Sequence, residues 1–272
     1  MASILSAAPV PVRGIVQEAL GEERALRIEV ERDESGTWTT GETVDFNAGM
    51  GDLAIGYVGR RVAGEAVRYD GKWRLEKIFP LDGEGAKAMA DVNARLHQET
   101  ATMSRRSFVH EGDYIPNFAL IDQNGDFLQA RQMRGKAFVL NFIFTRCTSP
   151  TMCPASSTRM AAMQDIAKEE GLEGLHFLTI TFDPEFDSPG ILRQYAEGYE
   201  MDAANFHLLT GPREVVDDLL RQFGILTMEE DGTINHTMAT LLVDAQGKVA
   251  FRKEGSSWTT DEFLKEARKL AL

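Results

Sequence analysis

Cysteine, histidine and long apolar runs are all scarce in this chain of 272 residues. Two cysteines allow at most one disulfide and fix no redox compartment by themselves. The five histidines are all absent from the first 96 residues, so the N-terminal third holds no imidazole for a metal or for acid–base work. No stretch approaches the roughly 18–20 apolar residues of a membrane span. Met1 to Val10 lacks a basic n-region and is too short for a secretory leader. Basic charge is also in deficit. A formal net charge of −13 argues against nucleic acid or an anionic membrane surface as a partner, and leaves open plain solubility or attraction of cations and basic proteins. Internal repeats and low-complexity tracts are missing as well.

What is present changes character along the chain. Between Pro9 and Pro80, Leu26, Ile28 and Val30 alternate with charged residues, as do Trp73 and Leu75. Period-two alternation punctuated by glycines predicts a small all-β barrel or meander of five or six strands over residues 9–82, with an OB-like form as one candidate. A linker over residues 83–107 carries Met89, Val92, Leu96 and Met103 near helical spacing, which predicts a packing helix from about Glu84 to Arg106. Residues 108–272 then alternate strand-like and helix-like segments. Ala137 to Phe144 is an apolar strand, Pro154 to Glu170 a helix and Leu175 to Phe182 a strand. Ser188-Pro189 opens another helix, Phe206 to Leu209 is a strand and Glu214 to Phe223 a helix. Asp244-Ala245-Gln246-Gly247 turns a hairpin, and Thr260-Asp261 caps a last helix. This order predicts an α/β fold with a mainly parallel sheet and one antiparallel hairpin.

Both cysteines fall in one strand-to-helix turn, Phe144-Thr145-Arg146-Cys147-Thr148-Ser149-Pro150-Thr151-Met152-Cys153-Pro154. A helix N-terminus favours thiolate, which is the nucleophile of disulfide exchange and a soft ligand for copper. The bland alternatives are a structural disulfide across a short loop or two buried thiols. Arg146 adjoins Cys147 and could stabilise its thiolate. Met152 offers a thioether between the cysteines. Asp183 and Asp187 fall after the next strand, at the carboxyl end of the sheet where α/β sites form, although Asp-Pro and Asp-Ser-Pro are also ordinary turn and cap signals. Zinc would need a fourth protein ligand for a structural site, and none is evident.

From about Phe108 onward the chain resembles the Sco/SenC family, a thioredoxin-like group of copper proteins. The matching pieces are Phe142-Ile143-Phe144-Thr145-Arg146-Cys147 through Cys153-Pro154, Asp183-Pro184-Glu185-Phe186-Asp187-Ser188-Pro189, Leu208-Leu209-Thr210-Gly211, and Asn235-His236-Thr237 ahead of Leu241-Leu242-Val243-Asp244. The resemblance implies a thioredoxin-like domain whose Cys147, Cys153 and His236 hold a copper ion. It implies a recipient such as an apo subunit of cytochrome c oxidase, and a place in the periplasm or on the outer face of the cytoplasmic membrane. Three departures stand out: five residues separate the cysteines where the family commonly has three, Thr237 replaces the usual serine, and the loop lacks the usual Pro-Asp before the second cysteine. Besides metal delivery, the same pair permits a redox-active role, in which Cys147 and Cys153 reduce partner thiols as a thiol–disulfide oxidoreductase, served in turn by a thiol–disulfide reductant. A thioredoxin-type reductase normally has a proline before the late strand, and His236-Thr237-Met238-Ala239-Thr240 has none. A peroxidase reading lacks the upstream Pro-x3-Thr. The other histidines, His97, His110, His176 and His207, read as structural or solvated.

Overall fold

A computed structural model describes residues 8–270, apart from 34, 84, 105–106 and 231–232. The first five strands, β1 (Val10–Leu20), β2 (Ala25–Asp33), β3 (Thr43–Asn47), β4 (Arg61–Tyr69) and β5 (Lys72–Pro80), close into a barrel in the order β1-β2-β3-β5-β4. Alternation dictates which side chains enter it: Val16, Leu26, Ile28, Phe46, Val62, Leu75 and Ile78 are buried in one apolar cluster while their neighbours face water. At Gly14 the barrel wall comes so close that an added Cβ would lie 2.4 Å from the Glu29 carbonyl oxygen. A short helix, α1 (Met50–Ile55), stands between β3 and β4.

Helix α2 (Ala86–Thr102) follows. Of the expected packing stripe, Leu96 is buried and Met89, Val92 and Met103 are half-buried, and two polar residues, Asn93 and Thr100, are buried with Leu96. The Asn93 amide donates to the Ala119 carbonyl (2.8 Å) and accepts from the Ala119 N–H (2.9 Å), which turns this face of the helix onto the sheet.

The second unit is a seven-stranded sheet ordered β14-β13-β8-β9-β10-β6-β7. Its strands are β6 (Ala119–Asp122), β7 (Phe127–Gln129), β8 (Ala137–Ile143), β9 (Leu175–Thr181), β10 (Phe206–Thr210), β13 (Ala239–Val243) and β14 (Val249–Glu254). Only the pairs β8–β9 and β9–β10 are parallel; the other four are antiparallel. The sheet is therefore mixed, not mainly parallel, because β6–β7 and β13–β14 are hairpins added at either edge. Every residue of β8 is buried, as its unbroken apolar run requires for a strand covered on both faces. Leu96 of α2 and Val216, Leu219 and Leu220 of α5 (Arg213–Phe223) pack on one face. Met160 and Met163 of α3 (Cys153–Glu169), Leu192 of α4 (Pro189–Gly198) and Phe263 and Leu264 of α6 (Thr260–Ala267) pack on the other. The cap of α6 is Thr259, one residue before the expected position: its hydroxyl accepts from the Glu262 N–H in a capping box. A separate two-stranded ribbon, β11 (Thr227–Glu230) with β12 (Thr233–His236), was not foreseen from the sequence. Among the described residues no helix is long and apolar enough to cross a membrane.

The barrel docks on the sheet unit through α1 and α4. An added Cβ at Gly51 would lie 1.9 Å from the Gly190 carbonyl oxygen, so the two backbones touch. Beside this contact Asp52 is buried, and its Oδ1 has no hydrogen-bond partner. Burial raises the Asp52 pKa from 3.8 to about 7, against the opposing pull of a Tyr57 hydrogen bond and the Arg74 charge. The native protein then keeps a proton that the unfolded chain gives up at lower pH. This contribution to stability is complete below the unfolded pKa of 3.8 and is lost as pH rises towards about 7. Denaturant titrations between about pH 5 and pH 7 should show wild type losing stability with rising pH by about 1 kcal/mol per unit more than Asp52→Asn does. Parallel pH profiles for the two proteins would place the Asp52 ionisation elsewhere.

Candidate metal centre

Strand β8 ends in the core at Ile143, and Phe144 carries the chain into the turn that holds Cys147. The turn closes on α3, whose first residue is Cys153 and whose second is Pro154, which suits a position with no N–H partner to lose. The start of α3 is tied to the sheet beneath it. The Asn141 side-chain amide donates through Nδ2 to Ser156 Oγ (3.1 Å) and accepts through Oδ1 from the Thr179 hydroxyl (2.6 Å). Cys153 is fully buried, Cys147 partly so, and both are free thiols.

His236 arrives from the end of the β11–β12 ribbon, 83 positions after Cys153, and its Nε2 lies 3.8 Å from Cys153 Sγ. The base of the ribbon is closed by Thr237. Its N–H donates to the Leu226 carbonyl and its hydroxyl accepts from the Leu226 N–H, both at 2.9 Å. Serine would supply the same hydroxyl, so the threonine preserves this clamp. His236 Nδ1 is 3.0 Å from the Thr237 carbonyl oxygen, a contact that requires Nδ1–H and leaves Nε2 with its lone pair towards Cys153. Burial lowers the His236 pKa, partly offset by that carbonyl, which favours the neutral ring. Phe182 packs 4.4 Å from the ring, and Phe144 meets it edge-on at 5.9 Å. An open cleft of about 310 Å³ beside His236 is lined by Met152, Met238 and Glu254.

Burial pushes the Cys153 thiol pKa well up. The backbone of Phe144 opposes the shift, and the neighbouring Cys147 adds to it. This reverses the expectation that the helix N-terminus holds a stabilised thiolate, because desolvation of the charged form outweighs the local dipole. Arg146 does not serve the thiolate in the way its sequence position suggests. It reaches the Asp183 carboxylate (Nε 3.0 Å, Nη2 2.5 Å) and lies 4.5 Å over the Phe186 ring. Asp187, also buried, accepts from the Thr145 N–H (3.1 Å) and from the hydroxyls of Thr145 and Thr181. Asp183 and Asp187 thus grip the two residues before Cys147. Sequence reading weighed them against ordinary turn signals and could not see that the turn they make carries the cysteine loop. Phe144 and Phe182 were missed as walls of the histidine slot; their one signal is a position just past the ends of the adjacent strands β8 and β9.

The other histidines lie elsewhere. His97 meets Asp218 (2.9 Å), His207 meets Asp122 (3.2 Å), and burial lowers His176 to about 4. Among the described residues, no three His, Cys, Asp or Glu side chains already converge to hold a metal ion. Cys153 and His236 form the assembled pair, and Cys147 stands on the loop beside it.

The sequence profile of the SCO1/SenC family matches residues 109–271. The chain belongs to this family. A SCO2-like protein of Rickettsia typhi is 30% identical over 138 residues, covering 48% of this chain and 65% of that protein, so the match falls just short of two thirds of the relative's length. A Stutzerimonas stutzeri protein named for copper binding is 29% identical over 164 residues, covering 58% of this chain and 76% of its own. Among solved structures, a SCO1/SenC family lipoprotein of Bacillus anthracis superposes with a TM-score of 0.55 at 28% identity, over 59% of this chain and 96% of that one. A second solved Sco protein is described as having a disulfide switch and as belonging to a family of cytochrome c oxidase assembly proteins. It superposes with a TM-score of 0.52 at 23% identity, over 60% of this chain and 96% of its own, and shows the shared thioredoxin-like fold.

Proposed function

We propose that this protein is a copper metallochaperone in which Cys147, Cys153 and His236 hold the ion and pass it to an apo copper site, with a cytochrome c oxidase subunit as the recipient. The observation that carries the reading is the Cys153–His236 pair at 3.8 Å, with Nδ1 committed to a carbonyl and Nε2 left for a metal. That is the arrangement a ligating histidine uses. Two soft sulfurs select Cu(I), and an added imidazole also suits Cu(II). Cys147, whose side chain neighbours that of Cys153 on the same loop, completes the set. Its partial exposure suits the first or last donor in a ligand exchange with the recipient. Both thiols must be reduced and deprotonated, so oxidation to a disulfide switches binding off and affinity rises with pH.

The relative named for copper binding and the Sco structure linked to oxidase assembly support this reading. The lipoprotein neighbour supports a place on the outer face of the cytoplasmic membrane. We read residues 9–82 as an OB-like barrel, from its closed order and the helix between β3 and β4, residues 83–107 as the linker helix, and residues 108–272 as the Sco domain. The barrel brings no histidine and so no comparable metal site of its own. A second reading, reduction of a partner's disulfide, is favoured by one observation: Cys147 is the more accessible thiol and Cys153 lies behind it as a resolving group.

Titration of the reduced protein with Cu(I) against a coloured chelator is expected to give one tight equivalent. His236→Ala should weaken it by about 10-fold or more, since one of three donors is lost. Weak binding indifferent to His236 would exclude the chaperone, and a reduction potential poised to reduce partner disulfides would then favour the second reading.

A further inference from the structure

The turn that grips the cysteine loop has a second side, and the barrel occupies it. Residues Asp183 to Ser188 form a compact turn, with the Phe186 and Asp187 N–H groups both donating to the Asp183 carbonyl, and α4 starts at the next residue. One side of this turn presents Asp183 and Asp187 to Arg146 and Thr145. Two residues beyond it, Gly190 meets α1. An added Cβ at Gly190 would lie 2.2 Å from Asp52 Oδ1, and the reciprocal contact at Gly51 is closer still at 1.9 Å. One turn further along α4, the Gln194 amide faces the Met50 and Gly51 N–H groups; with its O and N exchanged, the assignment that satisfies both sides, its oxygen accepts from both (3.2 Å each). These are unpaired donors at the start of α1. Phe186, Ser188, Ile191 and Gln194 also form one wall of a cleft of about 570 Å³ whose other wall is the barrel.

We infer that the barrel positions the cysteine loop: the clasp of Gly51, Asp52, Gly190 and Gln194 fixes the start of α4, and with it the Asp183–Asp187 turn that holds Thr145 and Arg146 in front of Cys147. The chain of contacts is short and stiff. Backbone touches backbone at Gly51–Gly190, a hydrogen-bonded turn follows, and buried carboxylates bind the loop. Neither side can shift by a methyl group without moving the next, as expected of close-packed interiors. Gly51, Gly190 and Gln194 are positioning residues in this account, since none of them touches the thiols. The inference gives the barrel a task that requires no metal ligand of its own. It rests on the cysteine loop being the working site proposed above.

The test uses the full chain, reduced and metal-free, in three variants. Gly51→Val forces the clasp apart. Gln194→Ala removes the acceptor for α1 without adding volume, and carries the test if Gly51→Val fails to fold. Gly21→Ala is a barrel control, with no atom within 4 Å of its added Cβ. Amide hydrogen exchange across residues 144–153 is expected to speed up about 10-fold in the clasp variants and to stay unchanged in the control, because a turn that loses its backing opens more often. Alkylation of Cys147 should accelerate in parallel. If exchange rises in α1 and α4 while residues 144–153 and the alkylation rate remain as in wild type, the barrel does not position the loop and the inference is overturned. Both measurements are independent of copper. A protein that fails to bind Cu(I) yet shows the coupling would sink the chaperone and leave this inference standing. A protein that binds Cu(I) equally well with the clasp open, with no change in the loop, would do the reverse.

Discussion

Cys153→Ser is expected to lower the Cu(I) affinity of the reduced protein by more than about 100-fold, beyond the roughly 10–100-fold that losing an outer partner of a metal site costs. The serine would occupy a fully buried slot at the start of α3, directly beneath His236 Nε2. Its hydroxyl is a hard donor that does not ionise near neutral pH, so it replaces neither the charge nor the softness of a thiolate. The fold should tolerate the change, since Cys and Ser are close in volume and the sheet beneath is held independently by Asn141, Ser156 and Thr179. Cys147→Ser should weaken binding as well, but it leaves the buried pair in place and so retains a weaker site. The check is chelator competition with unfolding curves run on the same samples. Affinity within a few-fold of wild type for Cys153→Ser, in a folded protein, would show that copper does not bind here. The pH dependence has a defined sign. Burial pushes the Cys153 thiol up, so more of the binding free energy goes into removing its proton as pH falls, and affinity should tighten as pH rises.

Asp187→Asn should act on the same site without touching a ligand. The carboxylate accepts from the Thr145 N–H and from two hydroxyls, inside a fully buried space. An amide keeps one acceptor oxygen for the Thr145 N–H but puts an NH2 group opposite the Thr145 hydroxyl, which must then accept instead of donate, and the charge that strengthens all three bonds is lost. The expected loss of stability is about 1–3 kcal/mol. Because Thr145 sits two residues before Cys147, copper affinity should fall by about 10–100-fold, the range for outer-shell partners. Thermal or urea unfolding gives the first quantity and chelator competition the second. A variant that loses stability yet binds Cu(I) as wild type does would show that the turn supports the fold alone and has no part in the metal centre.

Much of this architecture was legible in the sequence because local rules and tertiary structure agree there. Alternating Leu26, Ile28 and Val30 became a barrel strand, the apolar run at Ala137 became the central strand β8, and Pro154 marked the first turn of α3. Elsewhere, contacts between distant residues decided the outcome. Asn93 is buried beside Leu96 of α2 by binding the Ala119 backbone, a polar contact that helical periodicity does not show. Hairpins at both edges made the sheet mixed, since strand order is set by packing partners that periodicity cannot name.

For the candidate site, the sequence by itself determined the donor types, the single turn that carries both sulfurs and the spacing between them, because these are properties of neighbours in the chain. Only the tertiary structure decided the rest. It brought His236 to Cys153 across 83 positions, on a ribbon with no strong pattern of its own. It turned Arg146 from the thiol to Asp183, and it raised the Cys153 thiol where the helix terminus alone predicted the opposite. It also set the barrel against the back of the turn that holds the loop. Each of these outcomes depends on burial and on which distant groups meet, and burial is a property of the folded whole rather than of any segment.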